Sequence, residues 1–291
     1  MILGTVELGL DYGINNTSGK PSSAEVYRIL DTAWSYGVRE LDTAAAYGDS
    51  EQIIGDYRRE TGRLFKVDTK LMPSVGMSVD DVRRQLEHSL QVLGCGNANV
   101  LYLHRFELCK DTEIMVSLSA LKADGLVRQV GVSIYEPAEL DYIVRSVPAA
   151  DVVQLPMNVL DSFRWRRDGL LQKAQDRGLR LLVRSVYLQG LLFKSADDPF
   201  VRKLGAGKYL SYFQERSRLA NFSPAQFACC FVRSIPGVDD ILMGCERTEQ
   251  LADNLRILSN PTRFDERELE EIERFMSDIP AMAIDPRRWN Q

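Results

Sequence analysis

The chain has 291 residues, 45% of them hydrophobic and 26% charged, the balance of a globular protein with a packed core. A formal net charge of −5 gives no basic surface for phosphate backbones, which excludes nucleic acid as a main partner. No signal-peptide pattern and no apolar run of membrane-spanning length occurs, so the chain is expected to be cytoplasmic, without a membrane partner and with its oligomeric state open.

Short apolar runs alternate with amphipathic helical stretches along the whole chain. A strand over 2–6 precedes a helix over 22–37, and a strand over 39–43 precedes a helix from about Asp49. Strands follow at 65–70, 98–104, 126–133, 151–158 and 179–185, separated by helices at 79–94, 113–125, 137–147 and 165–178. An eighth strand is expected over 239–244. Gly37, Gly62, Gly94, Gly125 and Gly178 close helices just before strands, the usual place for a left-handed terminating residue. No Pro/Ser-rich or single-charge tract interrupts the rhythm, so residues 1–291 read as one domain with a C-terminal helix and tail from about 259.

Eight strands with helical crossovers fit either a closed barrel or a doubly wound open sheet. A dinucleotide-binding open sheet would carry G-x-G-x-x-G after its first strand, whereas Gly9 and Gly13 stand there in another arrangement. The expected fold is therefore an α/β protein of the (β/α)8 TIM-barrel class, whose chemistry lies at the carboxyl ends of the strands.

Four residues at those ends have complementary chemistry: Asp42, Tyr47, Lys70 and His104. A nearby ammonium is expected to lower the pKa of the Tyr47 phenol, Asp42 to hold Lys70, and His104 to donate a hydrogen bond to a carbonyl oxygen. The set suits proton transfer to a carbonyl but contains no electron carrier, so a cofactor must bring the hydride. Cys95, Cys109, Cys229, Cys230 and Cys245 form no C-x-x-C pair and have only His88 and His104 as companions, so no metal site is expected.

These residues resemble the aldo-keto reductase superfamily. LDTAAAYGDSEQIIG around Tyr47 is similar to its most recognisable signature, and TKL, LYLHR, GVS, VVQLPMN and GCERTEQLADNL follow in the family's order, from Gly4 to about Leu258. The resemblance implies a catalytic tetrad of Asp42, Tyr47, Lys70 and His104, with Tyr47 as general acid, and no metal. It implies an extended nicotinamide cofactor against Thr5, Asp42, Ser133, Gln154, Arg184, Ser185, Val186, Tyr187, Leu188 and Gly190. Gly244, Glu246, Arg247, Gln250, Asp253 and Asn254 would complete that site, with Ser133 and Gln154 on the carboxamide.

Several positions depart from the family pattern. Ser133-Ile134 replaces a common Ser-Asn, and Arg184 stands where an aromatic ring commonly stacks on the nicotinamide. The N-terminal hairpin that commonly plugs the barrel bottom is expected to be missing, because the first strand starts almost at Met1. Gly244 and Gln250 occupy places where many relatives grip a 2′-phosphate with cations, leaving Arg247 for that task. NADPH is the expected cofactor, with NADH as the alternative. Tyr12, Arg105 and Trp289 are expected against the substrate, with Arg287 and Arg288 of the tail DPRRWNQ near the entrance. The expected function is reduction of an aldehyde or ketone, such as a sugar or another polar carbonyl compound. Two alternatives are a cofactor-binding regulatory module and a sugar epimerase or lyase that uses the cofactor transiently.

Overall fold

The computed structural model describes residues 1–16, 19–71, 77–259 and 262–289. Among them, eight parallel strands form a closed barrel in sequence order: β1 (Ile2–Gly4), β2 (Glu40–Asp42), β3 (Lys66–Leu71), β4 (Ala98–Leu103), β5 (Val127–Ser133), β6 (Val152–Pro156), β7 (Arg180–Arg184) and β8 (Asp240–Met243). Leu3 stands opposite both Leu41 and Met243, so β1 joins β2 to β8 and no open edge remains. This decides between the two folds that the rhythm allowed.

The surrounding helices are α1 (Ser23–Ser35), α2 (Ser50–Thr61), α3 (Val79–Leu93), α4 (Thr112–Ala123), α5 (Pro137–Ser146), α6 (Leu170–Asp176), α7 (Pro224–Ser234), α8 (Thr248–Ser259) and α9 (Glu266–Met276). Their ends follow local chemistry. Ser22 caps α1 by accepting from the Glu25 amide, and Ser78 and Asp81 form a reciprocal capping box on α3. The five helix-terminating glycines expected from the sequence all take positive φ, between 64 and 85°.

Three stretches differ from the periodic reading. β1 ends at Gly4, and Val6–Gly9 form a helical turn instead of prolonging the strand. The stretch 165–178 is not one helix: Asp168 (φ 56°) and Gly169 (φ 64°) break it between the turn Ser162–Arg166 and α6. The β7–β8 connection, unassigned from sequence before its last residues, carries helices Pro199–Lys203 and Gly207–Leu219 before α7.

Residues alternate between the two faces of each strand. Leu3, Leu41, Val67, Leu101, Val130, Val153, Leu181 and Ile241 are buried against the helical layer. Each such side chain contributes roughly 1.5–3 kcal/mol by leaving water. Ile2, Val100, Tyr102, Val152 and Leu182 form a separate cluster filling the barrel interior. Two residues beyond members of the inward rows come His104, Gln154 and Arg184, so the period of two places these polar groups at the carboxyl-end mouth.

No strand other than the barrel's eight occurs among the described residues, and polar pairs occupy the amino end where a hairpin plug would lie. Arg180 reaches Glu40 (3.0 Å) and Asp240 (2.7 Å), and the Met1 amino group reaches Asp240 (3.2 Å). Beside them, Asn99 donates to the buried Asp68 at 2.8 Å.

Candidate active site

Asp42 is the last residue of β2, Lys70 lies next to the end of β3 and His104 directly follows β4. The Lys70 ammonium is buried and bonded to the Asp42 carboxylate and to the Thr43 carbonyl oxygen (3.0 Å). It lies 4.9 Å from the Tyr47 ring centre, and the Tyr47 and His104 rings meet edge to face at 6.3 Å. The four expected catalytic residues therefore converge at one end of a cavity of about 640 Å³.

Tyr47 is positioned by its loop. The Tyr47 amide donates to Ala44 and the Ser50 amide to Tyr47, folding residues 44–50 into successive tight turns. Gly9 lies beneath: a Cβ there would collide with the Tyr47 carbonyl oxygen and with Ser50, so only glycine lets the β1 loop meet the loop that carries the phenol. Thr5 faces the cavity, but its hydroxyl donates to the Asp42 carbonyl oxygen (2.9 Å) and accepts from Ser50 (2.8 Å), which ties β1, β2 and α2 together.

The electrostatics correct one expectation. Burial pushes the Tyr47 phenol above its ordinary value, and the opposing pull of the Lys70 charge does not overcome it. His104 is driven down to about 4, first by burial and then by the charges of Lys70 and Arg184, so at neutral pH its imidazole is uncharged. Lys70 stays cationic, because Asp42 and Tyr47 outweigh its desolvation and raise its pKa.

Ser133 and Gln154 face each other in register on β5 and β6. Gln154 lines the cavity and its amide nitrogen donates to Asp42 Oδ2 (2.8 Å), while Ile134, in place of the common asparagine, is buried in the core. Arg184 donates to the Ile134 carbonyl oxygen (3.1 Å) and lies 4.3 Å from the Tyr135 ring centre, so one guanidinium face is already covered. The loop after β7 is bent through left-handed conformations at Ser185, Leu188, Gln189 and Gly190. Within it Val186 and Leu188 are buried, and Tyr187 donates to Asn254 (2.7 Å). Gly244, Glu246, Gln250, Asp253 and Asn254 line the wall at the β8 end.

Three expected contacts lie elsewhere. Arg105 is exposed and does not line the cavity, because the chain turns outward after His104. Arg247 is exposed and also outside the wall, since the side chain facing inward at this turn is Glu246. Trp289 is buried rather than at the mouth: its indole donates to the Met282 carbonyl oxygen (2.9 Å) and its ring meets Phe200 at 5.4 Å. It anchors the tail, of which Asp285, Pro286 and Arg287 reach the cavity, while Arg288 does not. Residues 290 and 291 of that tail lie outside the described residues.

Tyr12 lines the cavity and accepts from Gln189 (2.9 Å). Sequence reasoning missed Glu7, Tyr135, Glu136 and Arg164, which line it too. Glu7 had a signal, an acidic residue two positions beyond Thr5 at a strand end, whereas Arg164 had none because its helical turn is placed only by tertiary packing.

A barrel with a buried lysine–carboxylate pair, a phenol and an uncharged imidazole at one mouth defines an oxidoreductase scaffold built for carbonyl groups. The chain belongs to the aldo/keto reductase family, whose model matches residues 1–276, and that family works with nicotinamide cofactors. It is 24% identical to the L-glyceraldehyde 3-phosphate reductase of Escherichia coli strain K12, over 92% of this chain and 89% of that protein. An aldo-keto reductase of Strobilurus tenacellus is 30% identical over 61% of this chain and 55% of its own length. Among solved structures, the holo form of an aldo-keto reductase from Bacillus halodurans superposes with a TM-score of 0.74 at 17% identity, covering 99% of this chain and 94% of that one. Among the described residues, no helix is long and apolar enough to cross a membrane.

Proposed function

We propose that this protein is a cytoplasmic NAD(P)H-dependent reductase that converts a small polar aldehyde or ketone to its alcohol, with Tyr47 as general acid. The observation that carries this reading is the convergence of Tyr47, His104 and the Asp42–Lys70 pair at one end of the cavity. Ser133 and the Gln154 side chain would hold the nicotinamide carboxamide, and the bent backbone over Ser185–Gly190 would hold the pyrophosphate. The nicotinamide, when bound, supplies the hydride that forms the new C–H bond.

The chain's own residues manage the oxygen. His104, uncharged above a pH of about 4, donates a hydrogen bond to the carbonyl oxygen and orients it toward the phenol. As the C=O π bond breaks, Tyr47 transfers its proton to that oxygen. Burial makes Tyr47 a weaker acid than free tyrosine, yet an oxygen becoming an alkoxide is far more basic than a phenolate, so the transfer runs downhill. The phenolate left behind is balanced by Lys70, which Asp42 keeps in place, and takes its next proton from water.

The rim supports a polar substrate. Arg164, Arg184 and Arg287 line the wall; Arg164 and Arg287 are paired with Glu136, whereas among the described residues Arg184 has no carboxylate within ion-pair distance. A screen of aldehydes, ketones and acidic or phosphorylated sugars for oxidation of reduced nicotinamide tests the reading. Tyr47→Phe is expected to keep cofactor affinity and lose about a hundredfold or more in turnover. Full turnover in that variant would remove Tyr47 from the acid role, and product formation without net cofactor oxidation would overturn reduction itself.

A further inference from the structure

We propose that the cofactor is NADH rather than NADPH, and that Glu246 excludes the 2′-phosphate while accepting a hydrogen bond from the free 2′-hydroxyl. This rests on the nicotinamide reading above and reverses the cofactor expected from the sequence.

The placement of the adenosine follows from the fold. Barrels of this kind hold phosphates at the loops after their seventh and eighth strands. The loop after β7 carries four left-handed residues, a backbone form that turns amides into an anion-binding concavity. A dinucleotide with its phosphates there, and its nicotinamide at the tetrad, extends its adenosine toward Gly244 and the start of α8.

That end of the cavity is acidic. The cations lining the wall are Lys70 beside Asp42, Arg184 and Arg287 over the Tyr135 ring, and Arg164 paired with Glu136. At the β8 end the wall instead carries Glu7, Glu246 and Asp253, and the nearby Arg247 side chain is exposed outside it.

Groups that would otherwise receive a phosphate are already engaged. The amides of Glu246 and Arg247 both donate to Gln250 Oε1, at 2.8 and 3.2 Å. The amide and hydroxyl of Thr248 both donate to Glu25 Oε1 at 2.8 Å, so a carboxylate from α1 holds the anion position at the start of α8. The space that a side chain at position 244 would fill is taken by the Glu7 carboxyl, since a Cβ on Gly244 would collide with it. Glu7 Oε2 is buried with no hydrogen-bond partner. Burial, followed by the charges of Glu246 and Asp42, pushes Glu7 up to about 7.

A phosphate dianion entering this region would meet the Glu7 and Glu246 carboxyls with no cation lining the wall beside them, since Arg256 is engaged by Asp253 (2.6 Å) and Arg247 lies exposed outside the wall. A ribose with free hydroxyls can donate to them, which is how an acidic residue recognises the 2′-hydroxyl in other NAD sites.

Dissociation constants for NADH and NADPH, measured separately by quenching of the intrinsic fluorescence of the full chain at low ionic strength, test the proposal. NADH is expected to bind about tenfold or more tightly than NADPH, the difference that one hydrogen bond to a carboxylate and the absence of one repulsion would make. Glu246→Gln is expected to tighten NADPH and weaken NADH, narrowing the gap severalfold. Equal or tighter NADPH binding by the native chain, or parallel shifts of both cofactors in the variant, overturns the proposal while leaving the nicotinamide reading intact. Binding of neither dinucleotide overturns both.

Discussion

Burial moves Tyr47 and His104 in opposite directions on the pH scale, and both shifts fit the proposed roles: the phenol keeps a proton to give, and the imidazole stays uncharged. His104 has a sharp test because the chain contains only two histidines. In a His88→Gln variant, the remaining imidazole followed by NMR is expected to titrate near 4, and a midpoint near 6.5 would show that it is solvated and not held as described. The linkage has a definite sign. Between pH 6.5 and about 4 the unfolded chain binds a proton that the folded chain refuses, so this residue makes folding stability decline as pH falls through that window.

At the scale of elements, the mouth is assembled from connections rather than strands. The β1 loop meets the β7 loop through Asn15, whose side chain donates to Gly190 (2.6 Å), and through the Tyr12–Gln189 pair. The tail closes another side, with Arg287 paired to Asp285 (2.8 Å) and lying 3.8 Å from the Tyr135 ring centre. Its hold on the barrel is Trp289, buried against Phe200. Trp289→Ala is expected to destabilise the fold by ~3 kcal/mol in urea unfolding, the low end for deleting a buried aromatic near a chain end. The same variant should raise KM for the true substrate while sparing the cofactor dissociation constant, because the tail bounds the substrate side of the cavity and not its β8 end. An unchanged KM with lost stability would make the tail a structural brace only.

For the whole molecule, the two ends of the barrel divide the work. The carboxyl end carries the groups proposed for the proton chemistry, and the amino end holds charges that the proposed mechanism does not use. Asp68 is the strained member of that floor: burial, then the Glu40 charge, push its carboxyl well above the ordinary range, and its Oδ2 has no partner. The folded chain therefore retains a proton that the unfolded chain releases above about 4, so stability falls as pH rises through that window. Asp68→Asn keeps the bond with Asn99 and removes the charge. It is expected to stabilise by about 1–3 kcal/mol at pH 8, where ionisation of this carboxyl favours the unfolded chain and an amide cannot ionise, and to make little difference at pH 3.5. Urea unfolding at the two pH values checks this, and a pH-independent difference would contradict the assigned cause.

The barrel rhythm and the convergence of Asp42, Tyr47, Lys70 and His104 were legible in the sequence because both depend on local order. Apolar runs alternating with amphipathic helices need only short-range periodicity, and Asp42, Lys70 and His104 each close a strand, so neighbouring strands bring them together without further information. The broken helix at Asp168–Gly169 escaped because helical periodicity continues across two residues that tertiary packing holds in left-handed conformations. Direction and engagement of side chains escaped for a related reason. Sequence order places Arg247 at the start of α8, but only the packed turn decides that Glu246 faces the cavity and that Arg247 faces solvent. Likewise, Trp289 looks like a mouth residue until Phe200 and Met282 are seen to enclose it, and Glu7 looks like an ordinary helix-start acid until Gly244 leaves the space it fills. Periodicity along the chain thus determined the scaffold and the convergence of the proposed reacting groups, whereas the charge of the proposed cofactor wall was decided by contacts between residues more than two hundred positions apart, which no local pattern encodes.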